Sequence, residues 1–114
     1  MPFIGAKVTV SVDKQKEEKL KKRLGEAIST IPGKSENWLM VGIEDNYKLY
    51  FRGDQDGESA FVEVKIFGSS TDDVYEKLTA VICEILEDEL GIAKDRTYIK
   101  YEEIQHWGWN GTNF

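Results

Sequence analysis

A chain of 114 residues has room for one domain, residues 1–114, and can hide roughly two thirds of its unfolded surface. Its 40% hydrophobic and 32% charged residues are globular proportions, not those of a disordered chain. The net charge of −6 argues against a nucleic-acid partner, no stretch approaches the apolar length of a membrane span, and a single cysteine, Cys83, excludes an internal disulfide.

The chain opens on Met1-Pro2-Phe3-Ile4. Proline in second place is small enough for the initiator methionine to be clipped, which would leave the Pro2 nitrogen a free secondary amine in a rigid ring. An ordinary α-amino group titrates near ~7.7–8.0. Apolar neighbours such as Phe3 and Ile4, or a nearby cation, lower that value, so the amine could serve as a general base at neutral pH. The plainer reading is that Met-Pro is a common way to begin a protein. Lys7, Asp13 and Lys14 interrupt any signal-peptide core, so the expected location is cytoplasmic, with secretion by a signal-free route left open.

Phe3 to Val10 is apolar and β-branched enough for a strand, and Asp13 sits where a helix could be capped. Leu20, Leu24, Ala27, Ile28 and Ile31 recur at helical spacing, and Pro32-Gly33 stops that helix. Trp38 to Ile43 reads as a second strand, Tyr47 to Phe51 as a shorter one, and Arg52 to Ser59 as a turn. The pattern then repeats. Ala60 to Phe67 alternates, Gly68 to Thr71 supplies a turn and cap, and Val74, Leu78, Val81, Ile82, Ile85 and Leu86 form a helical stripe closed by Gly91. Thr97 to Tyr101 is a last strand before an aromatic, turn-rich tail from Ile104 to Phe114.

Two β-α-β halves therefore fill the chain, predicting an α/β sandwich of two layers with both helices on one face of the sheet. The other face must be covered by something, and a second copy in a cyclic homo-oligomer is the cheapest candidate.

His106 is the only histidine and Cys83 lies mid-helix, so no zinc site and no Cys-His pair is visible. No phosphate-cradling glycine motif occurs. Asp72-Asp73 suits a helix N-terminus, and Glu102-Glu103 a solvated strand end. What remains is Pro2, Lys34 in the loop after the first helix, and the tail, whose two tryptophans and terminal phenylalanine are too much aromatic surface to leave in water. Alone, Lys34 reads as an ordinary surface lysine.

Met1-Pro2, Gly33-Lys34, Asp95-Arg96-Thr97-Tyr98-Ile99 and the ending Gly108-Trp109-Asn110-Gly111-Thr112-Asn113-Phe114, taken in order, resemble the macrophage migration inhibitory factor family of the tautomerase superfamily. The D-R-x-Y-I segment and the tail are the specific parts. The resemblance implies a homotrimer with active sites at subunit interfaces. It makes Pro2 the catalytic base and Lys34 the cation for a substrate carboxylate. Tyr98 becomes a tyrosine reaching the site from the neighbouring subunit. Phe67, Phe3 and Trp107 fall where the family lines its pocket, and Lys100 where an asparagine often contacts substrate. Phe67 and Trp107 are bulkier than the pattern, and Lys100 adds a charge. The Cys-x-x-Cys of some members is absent, since the strand reads Ala60-Phe61-Val62-Glu63.

The activity so implied is keto–enol tautomerisation of small aromatic α-keto acids of the phenylpyruvate type, a proton transfer that needs no cofactor and no metal. The alternative is a cytokine-like signalling or host-interaction protein, with a receptor as partner and a vestigial pocket.

Overall fold

The computed structural model describes all 114 residues. Strand β1 (Pro2–Val8) leads to helix α1 (Lys14–Ala27) and strand β2 (Met40–Glu44); strand β3 (Ala60–Phe67) leads to helix α2 (Asp72–Leu90) and strand β4 (Thr97–Ile104). The tail adds two short strands, β5 (Gly108–Trp109) and β6 (Thr112–Asn113). β1 runs parallel to β2, β3 parallel to β4, and β1 antiparallel to β3, so the sheet order is β2-β1-β3-β4. This is the predicted pair of β-α-β units joined side by side.

Local chemistry fixes the helix ends. The Asp13 carboxylate accepts from the Lys16 N–H at 2.8 Å, and the Thr71 hydroxyl from the Val74 N–H at 3.3 Å; each cap is worth about 1 kcal/mol. Gly91 ends α2 at φ 68, a left-handed conformation that side chains resist. The predicted stripe is wholly buried, Leu20, Leu24 and Ala27 on α1 and Ile28 and Ile31 just beyond it, against Leu78, Ile82, Ile85 and Leu86 of α2 and one face of the sheet. Truncating a fully buried member such as Leu78 to alanine costs about 2–5 kcal/mol. Arg23 ties the helices together at 3.1 Å from Asp88 and 3.0 Å from Glu89.

The sheet's helix-facing side is Ile4, Ala6, Val8, Val62, Val64 and Ile66, all buried. Its other side differs from a continuous apolar surface. Aromatic groups stand at the ends, but the middle is a band of charge in which Glu63 meets Lys7, Lys65 and Lys100 at 3.8–3.9 Å.

Five boundaries depart from expectation. α1 gives way at Ala27 to a 3-10 turn over Ile28–Thr30, ahead of Pro32-Gly33, and β4 runs past Tyr101 to Ile104. β1 ends at Val8, because the Thr9 hydroxyl turns to Glu58 while its N–H holds Ser59 at 3.1 Å. Trp38 lies outside β2, in a single 3-10 turn over Glu36–Trp38. Tyr47 to Phe51 forms no strand: the Tyr47 N–H still reaches the Val8 carbonyl at 2.9 Å after Asn46 at φ 53, but no ladder follows, and Phe51 bridges only to Asp54.

Candidate active site

Pro2 is the first residue of β1, buried, and paired with Ile66 near the end of β3. Met1 precedes it, so its nitrogen is here an amide. The next residue on β3, Phe67, is the hub of the site. Its N–H donates to the Met1 carbonyl at 3.1 Å, and its carbonyl accepts from Lys34 Nζ at 2.8 Å. Lys34 gets there because α1 is followed by Pro32 and by Gly33 at φ 82, with the Lys34 N–H closing a turn onto Ile31 at 3.1 Å. Thus a loop cation and the start of the chain meet on one backbone residue.

The amine at this end of the chain feels that setting. Burial first, and then the Lys34 cation, hold the Met1 ammonium below its ordinary pKa.

A cleft of about 340 Å³ opens beside these groups, lined by Pro2, Phe3, Trp38, Met40, Trp107 and Trp109 among others. Its wall is a run of rings. Trp38 meets Trp109 edge-on at 5.2 Å, Trp109 stacks on Phe114 at 6.0 Å, and Phe114 lies 5.7 Å from Phe67. The tail can deliver Trp109 and Phe114 because Asn110 (φ 54) and Gly111 (φ 80) make the two-residue turn that joins β5 to β6. The Phe3 ring lies next to Gly5 and Gly42, where a side chain on either residue would touch it.

Pro2, Phe3 and Trp107 therefore share one cleft, and Lys34 and Phe67, outside its lining, reach it through Met1, whose carbonyl accepts from the Phe67 N–H. Tyr98 and Lys100 are elsewhere in the same chain. Tyr98 is exposed and stands edge-on to Phe51 at 5.5 Å, at the opposite end of the sheet. Lys100 is on the charged band, 2.7 Å from Glu102 and 3.9 Å from Glu63. Glu102 raises its pKa, so it stays a cation.

Trp38 and Met40 are cleft residues that the sequence reading did not single out; the signal was Trp38 following Lys34 by only four positions. Arg96 of the D-R-x-Y-I segment is a strut. It donates to Ser59 Oγ at 2.9 Å and to Asp54 Oδ1 at 3.3 Å, and lies 5.3 Å over the Phe51 ring. Cys83 is a buried thiol whose pKa burial raises, unlike an activated nucleophile. No group of three His, Cys, Asp or Glu is close enough to hold a metal, and no helix is long and apolar enough to cross a membrane.

The family model described as macrophage migration inhibitory factor (MIF) matches residues 1–114. A macrophage migration inhibitory factor of Meriones unguiculatus is 28% identical over 101 residues, 85% of each chain. The crystal structure of Leishmania major MIF2 superposes with a TM-score of 0.92 at 33% identity, over 100% of this chain and 97% of that one. A macrophage migration inhibitory factor homologue from Prochlorococcus marinus gives 0.83 at 27% identity, over 98% of both chains.

Proposed function

Because the chain belongs to the macrophage migration inhibitory factor family, we propose that it is a keto–enol tautomerase for phenylpyruvate-type α-keto acids, with Pro2 as general base after Met1 is removed. The observation that carries this reading is the convergence of Pro2, Lys34 and the Phe67 backbone beside an aromatic cleft.

Loss of Met1 would do two things at once. It would turn the Pro2 amide into a secondary amine close to where burial and Lys34 already lower the Met1 amine pKa. It would also free the Phe67 N–H, whose acceptor is the Met1 carbonyl. That N–H and the Lys34 ammonium form a cradle for a carboxylate. With the acid held there, its ring lies against Phe3, Trp38, Trp107 and Trp109. Pro2 takes a proton from the carbon between ring and carbonyl, the electron pair becomes the enol double bond, and the carbonyl oxygen gains a proton. A hydrogen bond from Tyr98 of a neighbouring copy, in a homotrimer with sites between subunits, would stabilise charge on that oxygen. Lys100 of that copy would add a second cation.

The test is phenylpyruvate turnover, followed in the ultraviolet, with Met1-free protein confirmed by intact mass. Pro2→Gly should abolish turnover. Absence of turnover in a trimeric, Met1-free wild type defeats the reading. That result would favour the second reading, a signalling protein with a vestigial pocket, which the bulk of Phe67 and Trp107 supports.

A further inference from the structure

Glu103, near the end of β4, has no cation within salt-bridge distance and instead faces a tyrosine and a backbone amide. The Tyr75 hydroxyl, from the first turns of α2, donates to Glu103 Oε2 at 2.5 Å. The Ser70 N–H donates to the Tyr75 hydroxyl at 3.0 Å and to the same carboxylate oxygen at 3.3 Å. Both partners thus close on the turn that leaves β3.

We propose that Glu103 and Tyr75 are positioning residues for the Lys34–Pro2 pair, acting through the Gly68–Ser70 turn and the Phe67 carbonyl that holds Lys34; this rests on the tautomerase reading above. The turn begins directly after Phe67. Gly68 sits at φ 94, open to no other residue type without strain, and its N–H reaches only the Ile104 carbonyl at 3.3 Å. The pairing of Phe67 with Ile104 and the Gly68 N–H bond anchor one end of the turn, and the Ser70 N–H, shared between the Tyr75 hydroxyl and Glu103, anchors the other. Lys34 Nζ then finds the Phe67 carbonyl at 2.8 Å, beside the chain end that it influences.

Tyr75 is itself held. Its ring packs 4.7 Å from Tyr101, whose hydroxyl donates to the Tyr75 carbonyl at 3.0 Å and shares a hydrogen bond with Thr79 at 2.7 Å. Burial, helped by Glu103, pushes the Tyr75 pKa up to about 12, so it remains a donor throughout the neutral range. Its anchor on α2 also explains why a carboxylate serves here. One oxygen accepts the O–H and the N–H together, and its negative charge strengthens both bonds.

The experiment titrates the Pro2 amine of Met1-free, nitrogen-15-labelled protein by NMR in wild type, Glu103→Ala, Glu103→Gln, Tyr75→Phe and Lys34→Ala, with turnover measured in parallel. Lys34→Ala defines the pKa with the cation gone. Glu103→Ala should move the Pro2 pKa up by about half a unit toward that value. It should also lower kcat/KM about tenfold, mainly through KM. Glu103→Gln, which keeps an acceptor oxygen, should stay near wild type. A Glu103→Ala titration superimposable on wild type overturns the proposal. Should that variant not fold, Tyr75→Phe keeps the ring on Tyr101, removes the hydroxyl and carries the same two outcomes. The titration needs no turnover, so an inactive wild type would sink the tautomerase reading while a shifted Pro2 pKa still upheld the positioning role.

Discussion

Pro2 and Tyr98 stand at opposite ends of β3: Pro2 pairs with Ile66, and Tyr98 with Phe61. From 61 to 66 is five residue steps of extended chain, roughly 17 Å. No rotamer of Tyr98 spans that gap. If both residues serve one reaction, they come from two copies. Inactive Pro2→Gly protein and weakened Tyr98→Phe protein, unfolded together and refolded at equal amounts, should therefore recover activity that neither has alone. With random assembly about a quarter of the sites hold both intact residues. No gain on mixing would mean that Pro2 and Tyr98 do not serve one shared site.

Lys34→Ala should shift the acid limb of activity to higher pH. The base must be neutral to work, so activity falls as pH drops through its pKa. Near the chain end burial and Lys34 both depress an amine pKa. Removing the cation removes its share, the pKa rises toward the ordinary α-amino range, and the limb moves up with it. KM for the α-keto acid should rise as well, because the carboxylate loses its partner. A pH–rate profile unchanged by Lys34→Ala would separate Lys34 from the base.

Why some of this was legible in the sequence and some was not follows from range. The alternation of Ala60 to Phe67, the caps at Asp13, Thr71 and Gly91, and the stripe of α2 depend on neighbours along the chain and stand where they were read, whereas the first stripe runs past the end of α1 at Ala27 into a 3-10 turn over Ile28–Thr30. Tyr47 to Phe51 has strand composition, but a strand also needs a ladder partner, and composition does not reveal that the segment's backbone meets β1 only through the Tyr47 N–H to Val8. Trp38 heads an unbroken apolar run, which hides where the ladder begins. The Lys34 bond to Phe67 joins residues 33 apart with no signature of its own. Lys100 pairs with Glu63 because of the β3–β4 register, which pattern alone left unspecified.

Arg96→Ala should destabilise the fold by about 2 kcal/mol in urea unfolding. The guanidinium is largely buried, and its bonds to Ser59, to the Glu58 carbonyl and to Asp54 hold the segment before β3. Gly57 leaves room for it, since a Cβ there would stand 2.9 Å from Arg96 Cδ. Arg96→Lys should recover little, because an ammonium cannot reproduce the planar fork or the stacking on Phe51. Proteolysis should move to residues 52–58 in both variants. Equal stability of Arg96→Lys and wild type would refute the strut.

Gly5→Ala tests the floor of the cleft. An alanine Cβ would meet Phe3 Cε2 at 2.8 Å and Cζ at 3.0 Å, too close for the ring to stay in place. The ring should swing toward the cleft, costing about 1 kcal/mol of stability and raising KM more than it lowers kcat. Gly42→Ala, where the nearest ring atom is 3.5 Å away, should leave both nearly unchanged and so serves as the control. The idea fails if the two substitutions behave alike.

Trp38 carries the last expectation. Its ring is half-exposed, meets Trp109 of the tail edge-on, and borders the cleft. A residue that contacts the substrate ring equally in ground and transition states alters KM and spares kcat. Trp38→Ala should accordingly raise KM for phenylpyruvate about tenfold, the scale of an aromatic contact plus its buried area, with kcat within about a factor of two. Stability should change little, because the side chain is outside the buried core. Aromatic α-keto acid binding should also quench tryptophan fluorescence in wild type and less in Trp38→Ala. A drop in kcat at constant KM would mean instead that Trp38 acts on the reacting atoms, through the 3-10 turn four residues beyond Lys34.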